Sequence, residues 1–191
     1  MENKNEFDKL REKCWNDAFY TFGTAWIFEK RASKLRRRLR ILTFLGIAVP
    51  LALGGTVASF GLDFKYLGLI ILLAGILSIV QLIGSVWALV AKWEDEYAYS
   101  LESVVGNYGL SNKFKELGEN PPQSEELRIK ISLLDAENRL RKDSDYKHVI
   151  TEKEKRMGHR AALRQFHRAC VACKEIPTSM KSSDCDVCGN F

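Results

Sequence analysis

Charge is missing from two long stretches of this 191-residue sequence: residues 41–61 and 67–91 contain no Asp, Glu, Lys or Arg. All 29 basic and 24 acidic side chains therefore crowd into the remainder, and the average composition hides two different materials. Histidine is scarce, at three residues. There is no Gly-rich phosphate loop, no HExxH and no G-x-S-x-G, so the usual routes to nucleotide hydrolysis, zinc proteolysis and acyl transfer have no local signature, and an enzyme is not expected. No strand-like alternation of useful length and no internal repeat occurs, which points away from sheets and solenoids. A free cytosolic enzyme core and a disordered chain are both poor fits.

Residues 41–61 would make a helix of about 32 Å, at roughly 1.5 Å per residue, against a bilayer core of about 30 Å. Residues 67–91 are longer still and can span with some tilt. A chain this short cannot bury two such helices in a soluble core, so both are read as transmembrane. The first apolar run begins after a long polar stretch, unlike a cleaved signal peptide. Only residues 62–66 separate the runs, which predicts a tight hairpin with both polar arms on one side. The net charge of +5 lies before residue 41, concentrated in residues 30–40 (KRASKLRRRLR). With Lys92, this cluster places both termini in the cytoplasm by the positive-inside rule, and Trp87 and Trp93 sit where interfacial aromatics belong.

Small residues recur in both runs, with Gly54/Ala58, Ala74/Ser78 and Gly84/Ala88 at the small-xxx-small spacing, and Gly75 beside the second pair. Pro50 is expected to kink the first span, and Gln81 is the one large polar side chain in the second. Two readings remain open. In one, the small residues only hold the hairpin together; in the other, Gly54, Gly75 and Gly84 pack copies into a homo-oligomer with Gln81 lining a water path.

In the N-terminal arm, Phe7, Leu10, Cys14, Ala18, Phe22, Ala25 and Trp26 recur at helical spacing, a face for packing or for the lipid surface, with packing the commoner outcome. After the spans, Trp93, Tyr97, Leu101, Val104 and Tyr108 extend the second span as a long helix weakened at Gly106 and Gly109. A short helix over 111–117 and a linker at 118–124 follow, with Ser124 as a cap. The next helix carries Leu127, Ile131 and Leu134 beside Leu133, Ala136 and Leu140, a wide stripe for a small bundle. A polar interruption at 142–145 precedes a last helix over 146–169. The fold class is an all-α membrane protein, divided as 1–40, 41–91, 92–169 and 170–191.

On that last helix Arg156, Arg160, Arg164 and Arg168 stand four apart as one ridge, suited to a nucleotide, nucleic acid or lipid phosphate. A solvated face paired with acids is the commoner role for such a pattern. The strongest chemical signal lies beyond it: Cys170-x2-Cys173, eleven residues, then Cys185-x2-Cys188. Two CxxC turns supply four thiolates, the donor set of a closed, structural, tetrahedral Zn²⁺ site. Disulfides compete poorly in a reducing cytoplasm, and no thioredoxin-like context supports a redox pair. Gly189 suits the knuckle turn, and Cys14 reads as a small buried apolar residue.

The cysteine spacing together with the preceding membrane hairpin resembles the bacterial mobilome CxxCx(11)CxxC proteins. The rest is similar to the broader SLATT superfamily (SMODS- and SLOG-associating two-transmembrane effectors), with residues 93–117 in the usual place after the second span. The resemblance implies a membrane effector of anti-phage defence, working beside a nucleotide-second-messenger synthase or a reverse transcriptase and permeabilising or depolarising the host's own inner membrane. The alternative is a membrane-tethered zinc adaptor that anchors a nucleic-acid enzyme or RNA.

Overall fold

The computed structural model describes the backbone of residues 2–61 and 64–191, and the side chains from Asn5 onward over the same range. Five helices follow in order: α1 Glu2–Phe60, α2 Leu67–Val90, α3 Trp93–Glu119, α4 Ser124–Asp145 and α5 Glu152–Gln165. No strand occurs among the described residues. The contacts divide the chain into Met1–Lys30 with Ser100–Phe191, and Arg31–Tyr99.

The Arg31–Tyr99 unit holds the apolar part of α1 and all of α2, two helices long and apolar enough to cross a membrane. Nearly all of α2 faces outward: only Leu67 and Ala88 are buried. Leu72, Leu82 and Leu89 are 60, 66 and 75% exposed, a surface that water would penalise and hydrocarbon would not. The two helices touch through small residues. A Cβ at Gly84 would lie 3.1 Å from the Leu42 side chain, and one at Gly46 would lie 2.6 Å from Gln81 Nε2. Gly54 and Gly75 differ, having open space where a Cβ would stand. α1 continues unbroken past Pro50, although the ring removes the hydrogen bond to the Gly46 carbonyl. The turn expected at 62–66 includes Leu62 and Asp63, which lie outside the described residues.

The long helix expected to carry the second span onward is broken at Lys92, whose φ of 49° is left-handed. α2 closes there through Lys92 N–H to Leu89 O, and α3 starts anew with Glu96 N–H to Lys92 O. The Arg38 guanidinium sits over the Trp93 ring at 5.2 Å.

In the other unit, the N-terminal half of α1 packs. Cys14 is buried against Leu127 and Ile131 of α4, Ala18 against Leu110 and Phe114 of α3, and Phe19 against Ala162 and Leu163 of α5. The Ser111 hydroxyl donates to the Ala18 carbonyl at 2.8 Å. α3 runs unbroken through its glycines: a Cβ at Gly106 would meet Arg141 at 2.9 Å and one at Gly118 the Trp15 indole at 2.9 Å, so these two are contact points, whereas Gly109 faces open space. The separate helix expected at 111–117 is simply the end of α3.

α4 runs through the expected interruption because Asp145 is a buried anchor. Its carboxylate accepts from Ser103 Oγ and Asn107 Nδ2, each at 2.8 Å, and from Arg141 at 3.0 Å. Ser124 is the first helical residue rather than the cap, a place taken by Gln123. The last helix is shorter than expected at both ends. Thr151 and Glu154 form a reciprocal capping box at its start. At its end His167 is left-handed, with Arg168 N–H reaching back to Leu163 O and His167 N–H to Arg164 O, the Schellman arrangement.

Candidate metal centre

The four cysteines reach one point because each CxxC closes on itself. In the first turn Lys174 N–H bonds Cys170 O, Cys170 N–H bonds Glu175 O, and Lys174 takes a φ of 61°. In the second, Gly189 N–H bonds Cys185 O at 2.7 Å and Asn190 N–H bonds Ser183 O. Gly189 is required for approach rather than for a left-handed backbone, since a Cβ there would fall on the Ser183 carbonyl. Asn190 supplies the positive φ, 44°.

All four Sγ atoms lie within 4.8 Å of one another. Cys170 to Cys185 is 3.9 Å and Cys173 to Cys188 is 3.7 Å. A tetrahedron with bonds of about 2.3 Å has edges of about 3.8 Å, so the spacing is that of a zinc tetrathiolate and far too long for a disulfide. Backbone N–H groups of Cys188 and Val187 pull the Cys185 thiol down to about 6, favouring the thiolate that binds metal. Burial pushes Cys188 the other way. With zinc bound by these four groups the site has no open position, and its chemistry is that of a cross-link.

The helical arms form the rest of the site. Cys170 and Cys188 are fully buried against Phe19, Ala162 and Leu163, with Phe22 and Phe166 alongside. α5 can lie this close to α1 because two glycines meet: a Cβ on Gly158 would stand 2.7 Å from the Gly23 carbonyl and 2.8 Å from Ile27. His159 packs edge-on against Phe19 at 5.3 Å, and burial lowers its pKa, so it stays neutral.

The arginine ridge does not exist as one face. Arg160 is only 9% exposed and serves the cysteine turns, donating to Ser179 O at 2.9 Å and to Ser183 Oγ and Cys188 O at 3.1 Å each. Its Nη1 is 3.8 Å from Cys188 Sγ, and no ion pair to a carboxylate is recorded for it among the described residues. A buried cation with no carboxylate fits a centre whose four thiolates and one Zn²⁺ sum to two negative charges. Arg156 donates to Asn190 O at 3.0 Å. Arg168 lies past the end of α5, where the Schellman turn directs it to Asn16 Oδ1 at 2.7 Å and over the Phe19 ring. Arg164 alone points outward. Sequence periodicity could not reveal this, since it assumes a helix that continues to residue 169; Gly158, at mid-helix, was the available sign of close packing.

These features define a small helical protein with two apolar helices of bilayer length and a four-cysteine centre docked on a helical bundle. The chain belongs to the mobilome CxxCx(11)CxxC protein family, whose model matches residues 11–191. No curated protein and no solved structure matches it.

Proposed function

We infer that this chain is an anti-phage effector of the bacterial inner membrane, with both termini cytoplasmic, which oligomerises and permeabilises or depolarises that membrane when a partner or nucleotide signal triggers it. The observation that carries the reading is in the hairpin. Between the apolar part of α1, α2 and the start of α3 lies an open groove of about 450 Å³, lined by Thr43, Gly46, Gln81 and Ser85 and, at its polar end, by Lys92, Glu94 and Asp95. No hydrogen bond is recorded for the Gln81 amide among the described residues, and a polar group left so in hydrocarbon is costly until a partner or water reaches it. Gly54 and Gly75, with nothing of their own chain against them, leave flat surfaces for further copies. Membership of a mobilome family agrees with a conflict role, and the SLATT-like order of spans and arm with an effector. The zinc-linked bundle would receive the trigger by binding it better in one arrangement of its helices than in another.

The arginine ridge was the expected contact for the trigger, and three of its four guanidinium groups are engaged within the chain; the alternative, a membrane-tethered zinc adaptor for a nucleic-acid enzyme or RNA, differs in making the hairpin a passive anchor. The test is the potential of cells overproducing the chain, compared with Gly54→Leu/Gly75→Leu and Gln81→Leu at equal membrane abundance. Depolarisation by the parent that both variants lose is expected. Depolarisation unchanged in both variants would remove the hairpin from the mechanism.

A further inference from the structure

The groove between α1, α2 and the start of α3 changes character along its length. Gly46 and Gln81 form its deep end, and Leu39, Leu42 and Leu89 line its walls. At the other end, where α2 stops and α3 begins, stand Lys92, Glu94 and Asp95. All three are exposed, and no ion pair or side-chain hydrogen bond is recorded for any of them among the described residues. Trp93 lines the groove beside them. An apolar channel with charge at one end only has the polarity of a phospholipid, chain inward and headgroup at the interface. The groove is open along its side, so the remainder of such a lipid stays in the bilayer.

The signs of the charges narrow the headgroup. One ammonium stands with two carboxylates, so the polar end sums to one negative charge and repels a headgroup that is itself negative. The basic cluster that would attract such a lipid does not line the groove: Arg38 lies over the Trp93 ring at 5.2 Å, and Arg36, Arg37 and Arg40 are absent from the walls. A zwitterionic headgroup meets both signs, with phosphate oxygens accepting from Lys92 Nζ and a cation against the Glu94 and Asp95 carboxylates. A primary ammonium carries three N–H donors for those carboxylates, whereas a quaternary choline carries none. We propose that this groove binds one aminophospholipid of the phosphatidylethanolamine class, held by Lys92 at its phosphate and by Glu94 and Asp95 at its ammonium. The inference rests on the reading of α1 and α2 as membrane-spanning, and not on any pore.

Native mass spectrometry tests the site, on the full chain solubilised in mild detergent and titrated with phosphatidylethanolamine, phosphatidylcholine or phosphatidylglycerol of identical acyl chains. One phosphatidylethanolamine is expected to bind about tenfold tighter than either of the others. Glu94→Gln/Asp95→Asn should erase that preference, bringing phosphatidylethanolamine to the level of phosphatidylcholine, and Lys92→Gln should weaken both about fivefold. Arg36→Gln/Arg37→Gln, outside the groove, should leave the binding unchanged. All of these positions are exposed, so zinc content and helicity should match the parent. Equal binding of the three lipids, a preference for phosphatidylglycerol, or a preference that survives Glu94→Gln/Asp95→Asn would overturn the proposal. Membrane potential of cells producing the same variants keeps the two readings apart. Selective binding by a chain that never depolarises cells sinks the effector and leaves the site, and depolarisation by a chain without the preference does the reverse.

Discussion

Replacing Arg160 by Met should uncouple the cysteine centre from the helices. The side chain supplies three hydrogen bonds, to Ser179 O, Ser183 Oγ and Cys188 O, from a position 9% exposed. Met keeps much of the aliphatic volume and removes every donor. The Ser183 hydroxyl can turn to another partner and the carbonyl of exposed Ser179 can turn to water, but the Cys188 carbonyl is left buried, at about 1–3 kcal/mol. The lost positive charge beside Cys188 Sγ adds to this when the centre carries its thiolates. We expect a loss of about 3–5 kcal/mol in the zinc-loaded state and a 10- to 100-fold weaker zinc affinity, the usual scale for an outer-shell partner. Competition against a chromophoric chelator on the solubilised full chain measures the affinity, and thermal unfolding with and without zinc measures the stability. Arg160→Lys retains the charge with a single donor centre and should fall between parent and Met. Identical zinc affinity in Met and parent would refute the reasoning, and a Lys variant as weak as Met would refute its electrostatic part.

Cys185→Ser should abolish stoichiometric zinc and expose residues 170–191 to limited proteolysis, because a closed site contributes folding free energy; full zinc content would be incompatible with the centre. Zinc affinity should fall as pH falls, since each bound thiolate must first lose its proton and acid restores it; chelator competition from pH 8 to 5.5 checks the sign, and a flat profile would contradict it. Gly158→Ala should destabilise the bundle by about 1–3 kcal/mol, because its methyl would stand 2.7 Å from the Gly23 carbonyl; an unchanged melting temperature would show that the α1–α5 contact is looser than described. Asp145→Ala should cost about 3–5 kcal/mol by stripping Ser103, Asn107 and Arg141 of their shared acceptor, read by denaturant titration. Gly84→Leu should disrupt the hairpin at Leu42, whereas Gly54→Leu should leave it intact, a difference that membrane insertion and protease protection report.

Where local chemistry decides the outcome, the sequence was legible. The absence of charge located both apolar helices, and the spacing of the thiols located the metal centre, because neither depends on what packs where. The N-terminal helix announced its buried face through Cys14, Ala18 and Ala25 at helical intervals. Helix ends were harder. Lys142 to Asp145 look like a break, yet the helix continues because Asp145 finds partners on α3, a tertiary contact that composition does not carry. The capping box at Thr151 was readable in principle from Thr151-x-x-Glu154. The arginine spacing misled for a related reason: four-residue periodicity marks a face only while the helix lasts, and it cannot separate a cation for solvent from one buried under two CxxC turns. Half of the α4 stripe, with Leu133 and Leu140 66 and 71% exposed, was likewise assigned inward, since hydrophobic spacing counts apolar residues and not the partners available to cover them.

The central claim is a gated effect on the membrane, and single-cell membrane potential reports it most directly. The chain would be expressed from its native locus with its genomic neighbours and followed through phage infection, with dye entry recorded in parallel. Depolarisation that begins after infection, requires this chain and is lost in Gly54→Leu/Gly75→Leu is the predicted result. An intact potential throughout infection, with the protein present in the inner membrane and phage still restricted, would contradict it.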